Sequence, residues 1–264
     1  MHSQSIAGEG RTLTSKVEVV YYAKITDIQS SSSEHYETIS LPKLTIQANT
    51  PEQEFVFLRQ LSASMLFFNQ NGYKIELPET PKILEYFQNG LELPDDPNLL
   101  ELYMNEYSVD YYQPRLQGLM AHEQAIRSTF PTFVQYHNLW GFRIFPEYQI
   151  RLTRYGPGGF YRSKTGVIEM LTFVDGSFKR PNSVATVVHE IFHIGIDDIV
   201  KKYDLTHWEK EGLVDKSCMV SFPDMLPDYQ VQKQGDRAIF DHITVESMKD
   251  LPKAVKEFKA EQRK

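Results

Sequence analysis

The sequence predicts an α+β protein, because it contains both strand-like and helix-like patterns of apolar residues. Residues 16–26 and 148–155 alternate apolar with polar side chains, which is typical of strands that bury one face. Residues 55–68 instead repeat apolar side chains at helical spacing. Residues 186–194 hold one glutamate between two histidines and are otherwise uncharged, which indicates a buried helix with a polar site.

Composition is that of an ordinary globular protein. The 264 residues, 41% of them hydrophobic, are enough for one large domain or two small ones. A net charge of -7 argues against nucleic acid as a partner, because no basic stripe is available to bind phosphates. The single cysteine, Cys218, excludes an intramolecular disulfide and any cysteine-rich zinc site.

The sequence also bears on location. No apolar run approaches the ~20 residues of a membrane-spanning helix, so no membrane span is expected. The first sixteen residues are polar and lack the apolar core of a secretory signal, which favours the cytoplasm. If Met1 replaces a removed signal peptide, the protein would instead be exported. Nothing in the sequence determines the oligomeric state.

The N-terminal part begins with strands. Residues 16–26 form the first predicted strand and residues 38–47 the second. Pro42 restricts the second strand to a sheet edge or a bulge, because proline cannot donate a hydrogen bond to a neighbouring strand. A helix is then expected to begin at Thr50, which forms a capping-box pair with Gln53.

Helical spacing predicts which face of this helix is buried. Five apolar residues carry that face: Phe55, Leu58, Leu61, Met65 and Phe68. The Asn71-Gly72 pair predicts a turn into a short strand over residues 73–77. Pro81 opens a further helix, which Gly90 can end.

A proline- and aspartate-rich stretch at residues 93–98 predicts a domain boundary. We expect a smaller N-terminal α+β region over residues 1–95 and a second domain over residues 96–264. From residue 99 to residue 137 the pattern is helical in pieces, interrupted by two prolines: Pro114 and Pro131.

Two strands are expected before the histidine-containing helix. Residues 148–155 and 166–174 have strand patterns, and the Gly-Pro-Gly-Gly sequence at 156–159 separates them. These strands are either an ordinary hairpin that covers the core or include an edge strand that pairs with an extended peptide.

The central motif is His189-Glu190-x-x-His193. Histidines four apart on a helix lie about 40° apart around its axis and about 6 Å apart along it, so both can bind one ion. A zinc ion there would lower the pKa of its bound water towards roughly 7, and Glu190 could accept the proton. Asn182, upstream of the motif, is placed to cap the helix.

A third ligand is needed, because zinc in hydrolases usually takes three protein ligands. Asp197 is disfavoured, since it lies about 12 Å along the helix axis from His189. A second predicted helix, residues 207–220, offers four acidic or histidine side chains: His207, Glu209, Glu211 and Asp215.

The His189-Glu190-x-x-His193 motif, followed by Glu211 and then Asp215, resembles the gluzincins, the thermolysin-like branch of the zincin metallopeptidases. This resemblance implies a zincin-like catalytic domain with a mixed sheet and an active-site helix. It further implies that His189, His193 and Glu211 bind one zinc ion, that Glu190 is the general base, and that Asp215 orients His189 through a hydrogen bond.

The resemblance covers about thirty residues, 186–215, and departs from the family pattern twice. Gly195 stands where the extended motif prefers an apolar residue. The segment before Glu211 is slightly short, which keeps Glu209 and His207 as alternative third ligands.

Water attack on a peptide carbonyl also requires a group that stabilises the oxyanion. Tyr229 and His242 are the main candidates, with Arg237 and Tyr161 as further ones. The sequence therefore predicts a zinc-dependent peptidase that acts on a peptide or protein. Two alternatives are a zincin-fold protein that binds zinc and a peptide or protein partner without turnover, and a metal-free domain in which this helix only forms core.

Overall fold

A computed structural model describes residues 40–173, 175, 177–178 and 182–263. These residues form four strands, eleven α-helices and two 3₁₀ helices. The strand predicted at residues 16–26 lies outside the described part of the chain. Within that part, no helix combines the length and apolar content needed to cross a membrane.

The four strands form one mixed sheet, which confirms the expected α+β class. The sheet order is β1-β2-β4-β3, in which β1, β2 and β4 are parallel and β3 is antiparallel to β4. Among the described residues, both β1 and β3 are therefore edge strands. Their bounds are β1 Lys43–Ala48, β2 Glu147–Thr153, β3 Gly159–Arg162 and β4 Val167–Leu171.

The edge position of β1 agrees with its sequence, because Pro42 directly precedes the strand. In β2 the predicted alternation is observed: Tyr148, Ile150 and Leu152 are buried. The sequence did not predict β3, which begins inside the glycine-rich break and is only four residues long.

The first helix begins as expected. Thr50 caps α1 (Pro51–Ala63) in a capping box with Gln53. The five residues of the predicted face are all buried, and the chain continues into α2 (Met65–Gln70) after a break at Ser64. Helix α3 (Pro81–Gln88) follows, and Gly90 lies beyond its end with φ 65°.

The prediction of a strand over residues 73–77 is wrong. Only Glu76 pairs there, through two backbone hydrogen bonds with Gly156 of 3.1 and 3.0 Å. Gly156 has φ 99°, so the chain turns just after β2. Residues 73–77 therefore pair with it at a single position.

The helical pieces predicted over residues 99–137 are confirmed, with one correction. Pro131 lies in the first turn of a helix, but Pro114 lies inside α5 without ending it. Burial of Tyr112 and Leu119 on either side of Pro114 offsets the lost hydrogen bond. The helices are α4 Pro97–Met104, α5 Val109–Met120, α6 Glu123–Arg127 and α7 Phe130–Trp140.

The histidine-containing helix is α8 (Ser183–Gly195), which packs against β3, β4 and the later helix α10 (His207–Ser221). The Asn182 side chain caps α8 by accepting a hydrogen bond of 3.1 Å from Ala185 N. All thirteen residues of α8 are buried. The remaining helices are α9 Asp197–Tyr203, 3₁₀ helices Ala238–His242 and Ser247–Asp250, and α11 Leu251–Glu261.

Within the part of the chain that the structure describes, buried apolar side chains form two clusters. The larger lies around the sheet, α5, α7, α8 and α10, and α11 joins it through Leu251, Val255 and Phe258. The smaller lies among α1 to α4 and includes Tyr155. The division into residues 1–95 and 96–264 stays a prediction; β1, from the first region, pairs with β2, from the second.

Candidate metal centre

Helix α8 brings its two histidines together as the spacing predicts. The Nε2 atoms of His189 and His193 lie 3.0 Å apart, and the two rings are nearly perpendicular, at 82°. Both side chains are almost fully buried, with 3% of each exposed. Two imidazole nitrogens therefore converge on one point.

Helix α10 supplies the third donor. Glu211 Oε2 lies 3.4 Å from His189 Nε2 and 3.2 Å from His193 Nε2. A four-coordinate zinc ion with bonds of about 2.0–2.1 Å separates its ligand atoms by about 3.3–3.4 Å. The separations between these three donors are close to that value. The group can therefore hold a metal ion.

The protonation states also suit a metal ion. Burial lowers the pKa of His193 to about 3, so its imidazole is neutral near pH 7. Burial alone would raise the pKa of Glu211, but the nearby His193, His189 and Lys210 outweigh it and hold that pKa well below its usual range. His193 and Glu211 are thus a neutral imidazole and a carboxylate, the forms that bind metals.

The two alternative third ligands point elsewhere. The Glu209 carboxylate accepts a hydrogen bond of 2.7 Å from Thr206 N and pairs with Lys259 at 3.0 Å. His207 Nε2 lies 2.8 Å from the Tyr73 hydroxyl, while its Nδ1 is 3.7 Å from Glu211 Oε1. Only Glu211 joins the two histidines in a group of donors within the described residues.

Asp215 and Tyr229 lie behind His189. Asp215 Oδ1 is 3.3 Å from His189 Nδ1, and the Tyr229 hydroxyl donates to the same oxygen at 2.8 Å. Tyr229 has one hydroxyl proton, so in its 2.6 Å contact with His189 the Nδ1–H is the donor. This leaves the lone pair of Nε2 directed at the site.

Tyr229 and His242, the two main candidates for stabilising an oxyanion, do not lie at the cleft as expected. Tyr229 is on the opposite side of the His189 ring from Nε2. His242 packs against Phe258 and lies 3.5 Å from Glu261 on α11. Neither residue, nor Arg237, is among the described residues that line the cleft.

A cleft of about 860 Å³ opens onto the three donors. Glu190 lines it beside His189 and is 6% exposed. Its carboxylate lies against Gly159 of β3, where a Cβ atom would overlap Glu190 Oε1. The other walls come from α2, the turn after it, and α10, including Phe67, Tyr73 and Trp208.

Tyr161 on β3, a candidate from the sequence, does lie at the site. Its ring stacks on His193 with centroids 4.8 Å apart and an angle of 7°. Its hydroxyl accepts a hydrogen bond of 3.4 Å from Lys210, whose Nζ is also 3.2 Å from Glu211 Oε1. Burial alone would lower the pKa of Lys210, but Glu211 and Tyr161 raise it, so this buried amine is a cation.

Sequence reasoning missed two residues of the site. Lys210 is adjacent to Glu211 in the chain, which is a weak signal, since neighbouring residues on a helix point to different sides. Gln232 follows α10 by eleven residues and has no motif around it. Its side-chain amide nevertheless contacts Glu211 Oε2 and lies 3.4 Å from His189 Nε2.

Comparisons with protein-family models, with curated proteins and with solved structures gave no match for this chain.

Proposed function

We propose that the protein is a zinc-dependent peptidase in which His189, His193 and Glu211 hold one zinc ion and Glu190 is the general base. The observation that carries this proposal is the position of Glu190, whose side chain lines the same cleft as the three donors. A metal site with a purely structural role would need no base there.

A zinc ion bound at this site would polarise a substrate carbonyl and lower the pKa of a water molecule towards about 7. Glu190 would accept the proton of that water on its carboxylate and later pass it to the leaving nitrogen. Asp215 and Tyr229 would hold the His189 ring in the orientation and tautomer that keep its Nε2 lone pair on the metal side.

The sheet offers a way to bind an extended peptide. Strand β3 pairs with β4 on one side only, and its other edge faces no strand among the described residues. Because β3 also packs against α8, a peptide added along that edge would pass beside Glu190. The aromatic side chains Phe67, Tyr73 and Trp208 line the same cleft.

Tyr161 is the best-placed group to stabilise an oxyanion. Burial raises the pKa of its hydroxyl, which therefore stays protonated and can donate a hydrogen bond. Lys210 donates to the oxygen of that hydroxyl, which leaves its proton available for a ligand in the cleft. The positive charge of Lys210 would strengthen this donor.

The proposal is tested with Glu190→Gln, measured with a broad library of quenched fluorescent peptides. The amide keeps the shape of the side chain and loses the basic oxygen, so turnover should fall at least ~100-fold while zinc binding is retained. Equal turnover in the two proteins would remove Glu190 from the mechanism. Zinc binding without turnover in the unaltered protein would favour a zinc-binding protein that holds a peptide or protein partner.

A further inference from the structure

The segment that follows α10, residues 223–237, runs back over the metal centre; we refer to it as the return segment. The backbone N–H of Gln232 donates to Asp215 Oδ2 at 2.7 Å, and that of Asp236 donates to the Trp208 carbonyl at 2.9 Å. Gly212 makes room for it, because a Cβ atom there would overlap the Asp236 carbonyl oxygen. The return segment is thus tied to α10 at several points.

These ties bring the Gln232 side chain onto the metal donors. One atom of its carboxamide contacts Glu211 Oε2 and lies 3.4 Å from His189 Nε2. The separation from His189 Nε2 matches the about 3.3–3.4 Å expected between neighbouring ligands of a tetrahedral zinc ion, whereas the contact with Glu211 is a hydrogen bond, closer than two ligands of one ion. The carboxamide therefore lies within reach of a fourth coordination position, which it would take by moving off Glu211.

A carboxamide can present either its nitrogen or its oxygen to a neighbouring group. Its nitrogen and oxygen exchange places when the group turns by 180°. Towards Glu211 alone, the N–H is the better partner, as a donor to a carboxylate. Towards a cation, the oxygen is favoured, because it carries the negative end of the amide dipole.

We propose that the Gln232 carboxamide oxygen is the fourth protein ligand of the metal centre in the resting protein. The return segment then closes the centre, and solvent or substrate reaches the metal only when this side chain moves away. The proposal rests on the metal centre of the proposed function but not on peptidase activity.

A neutral amide oxygen suits a ligand that must be displaced. It offers only a dipole, whereas the Glu211 carboxylate and a metal ion attract each other as full charges. Asp215 holds only the backbone of Gln232, and the side chain is held separately by its contact with Glu211. The Gln232 side chain can therefore leave the metal by changing its rotamer, and the return segment does not have to unfold.

The test uses the full chain loaded with Co²⁺, whose visible absorption reports the ligands around it. With four protein ligands, the spectrum of the unaltered protein should stay constant between pH 6 and 9. In Gln232→Ala, solvent takes the fourth position and its ionisation near pH 7 should make the spectrum depend on pH. Gln232→Asn, one methylene too short to reach, should behave in the same way.

Zinc release to an excess of chelator provides a second measurement. Gln232→Ala should release zinc at least ~10-fold faster, since even outer partners of metal ligands change affinity by 10- to 100-fold. The matched control is Gln230→Ala, an exposed glutamine of the same return segment that is not among the cleft-lining residues, which should match the unaltered protein in both measurements.

The outcomes separate this proposal from the proposed function. A spectrum that depends on pH equally in the unaltered protein and in Gln232→Ala would overturn the fourth ligand while leaving the three-donor centre intact. Failure of every variant to take up cobalt or zinc would overturn both. Spectra that differ as expected, in a protein without peptidase activity, would support the fourth ligand and contradict the peptidase.

Discussion

Glu209 and Glu211 are two positions apart in α10 and have different partners. Glu209 caps the helix and pairs with Lys259, whereas Glu211 faces His189 and His193. Residues two apart on a helix lie about 200° apart around its axis, so both carboxylates cannot reach one ion.

This difference predicts how three carboxylate variants bind zinc. Glu211→Ala should lose most zinc binding, and Asp215→Asn should weaken it about 10- to 100-fold through the loss of its contacts with His189 and Tyr229. Glu209→Ala should bind zinc normally and lose about 1 kcal/mol of stability, because it lacks its part of the capping box.

Titration of zinc against a competing chelator, together with thermal unfolding of each variant, measures both effects. If Glu209→Ala or His207→Ala lost the metal while Glu211→Ala kept it, the assignment of the third ligand and the resemblance to gluzincins would both be wrong.

The hydroxyl of Tyr161 gives another prediction for a single residue. Tyr161→Phe keeps the ring that stacks on His193 and removes only the group bonded to Lys210. Peptide turnover should fall ~10- to 1000-fold, as for other groups that stabilise an oxyanion, with zinc affinity nearly unchanged. The decisive comparison is kcat against zinc affinity: a parallel loss of both would indicate a role in holding the site together.

Two glycines allow helix α8 to pack closely against its neighbours. Gly195, which departs from the motif expected after His193, ends α8 where the Phe142 ring packs, and a Cβ atom there would overlap that ring. Gly159 lets β3 approach α8 so closely that Glu190 lies against its backbone. Both glycines permit a close approach of neighbouring elements.

Gly159→Ala should therefore displace the Glu190 carboxylate without touching a metal donor. We expect peptide turnover to fall at least ~10-fold, because a small displacement of a catalytic group is costly, while zinc affinity stays the same. Gly118→Ala is the matched control, since its Cβ atom would have nothing within 4 Å. Normal turnover in Gly159→Ala would mean that Glu190 can act from a different position.

At the scale of the whole molecule, one buried carboxylate connects α1 with the sheet and α5. Glu54 accepts hydrogen bonds from Thr153 Oγ1 at 2.7 Å and from Arg154 N at 3.1 Å, and it also bonds the Tyr112 hydroxyl. Burial raises its pKa from 4.5 to about 7, although these hydrogen bonds partly oppose the change.

This raised pKa predicts how stability changes with pH. In the unfolded chain Glu54 loses its proton near pH 4.5 and in the folded protein near pH 7. Between these values the folded state binds more protons, so its contribution to the free energy of unfolding falls by up to about 3 kcal/mol as pH rises, and the loss is complete above pH 7.

Glu54→Gln removes this titration, so its free energy of unfolding relative to the unaltered protein should rise between pH 5 and pH 8. Denaturant unfolding of both proteins at several pH values, without added metal, measures the difference. A constant difference over that range would show that Glu54 does not titrate there.

The sequence by itself determined the features that depend on neighbouring residues. Helical geometry alone brings His189 and His193 together, and the caps at Thr50 and Asn182 lie where their sequences predict. A helix or cap of this kind is defined by hydrogen bonds over three or four residues, which a local pattern can reveal.

Only the tertiary structure decided which distant residues join the two histidines. It selected Glu211 over Glu209, and placed Tyr229 behind His189 and Gln232 beside the donors. It also formed β3, whose four residues pair with β4 although the glycines before them predict a break. These contacts depend on how α10, the return segment and the sheet pack, and packing between distant segments is not encoded in local periodicity.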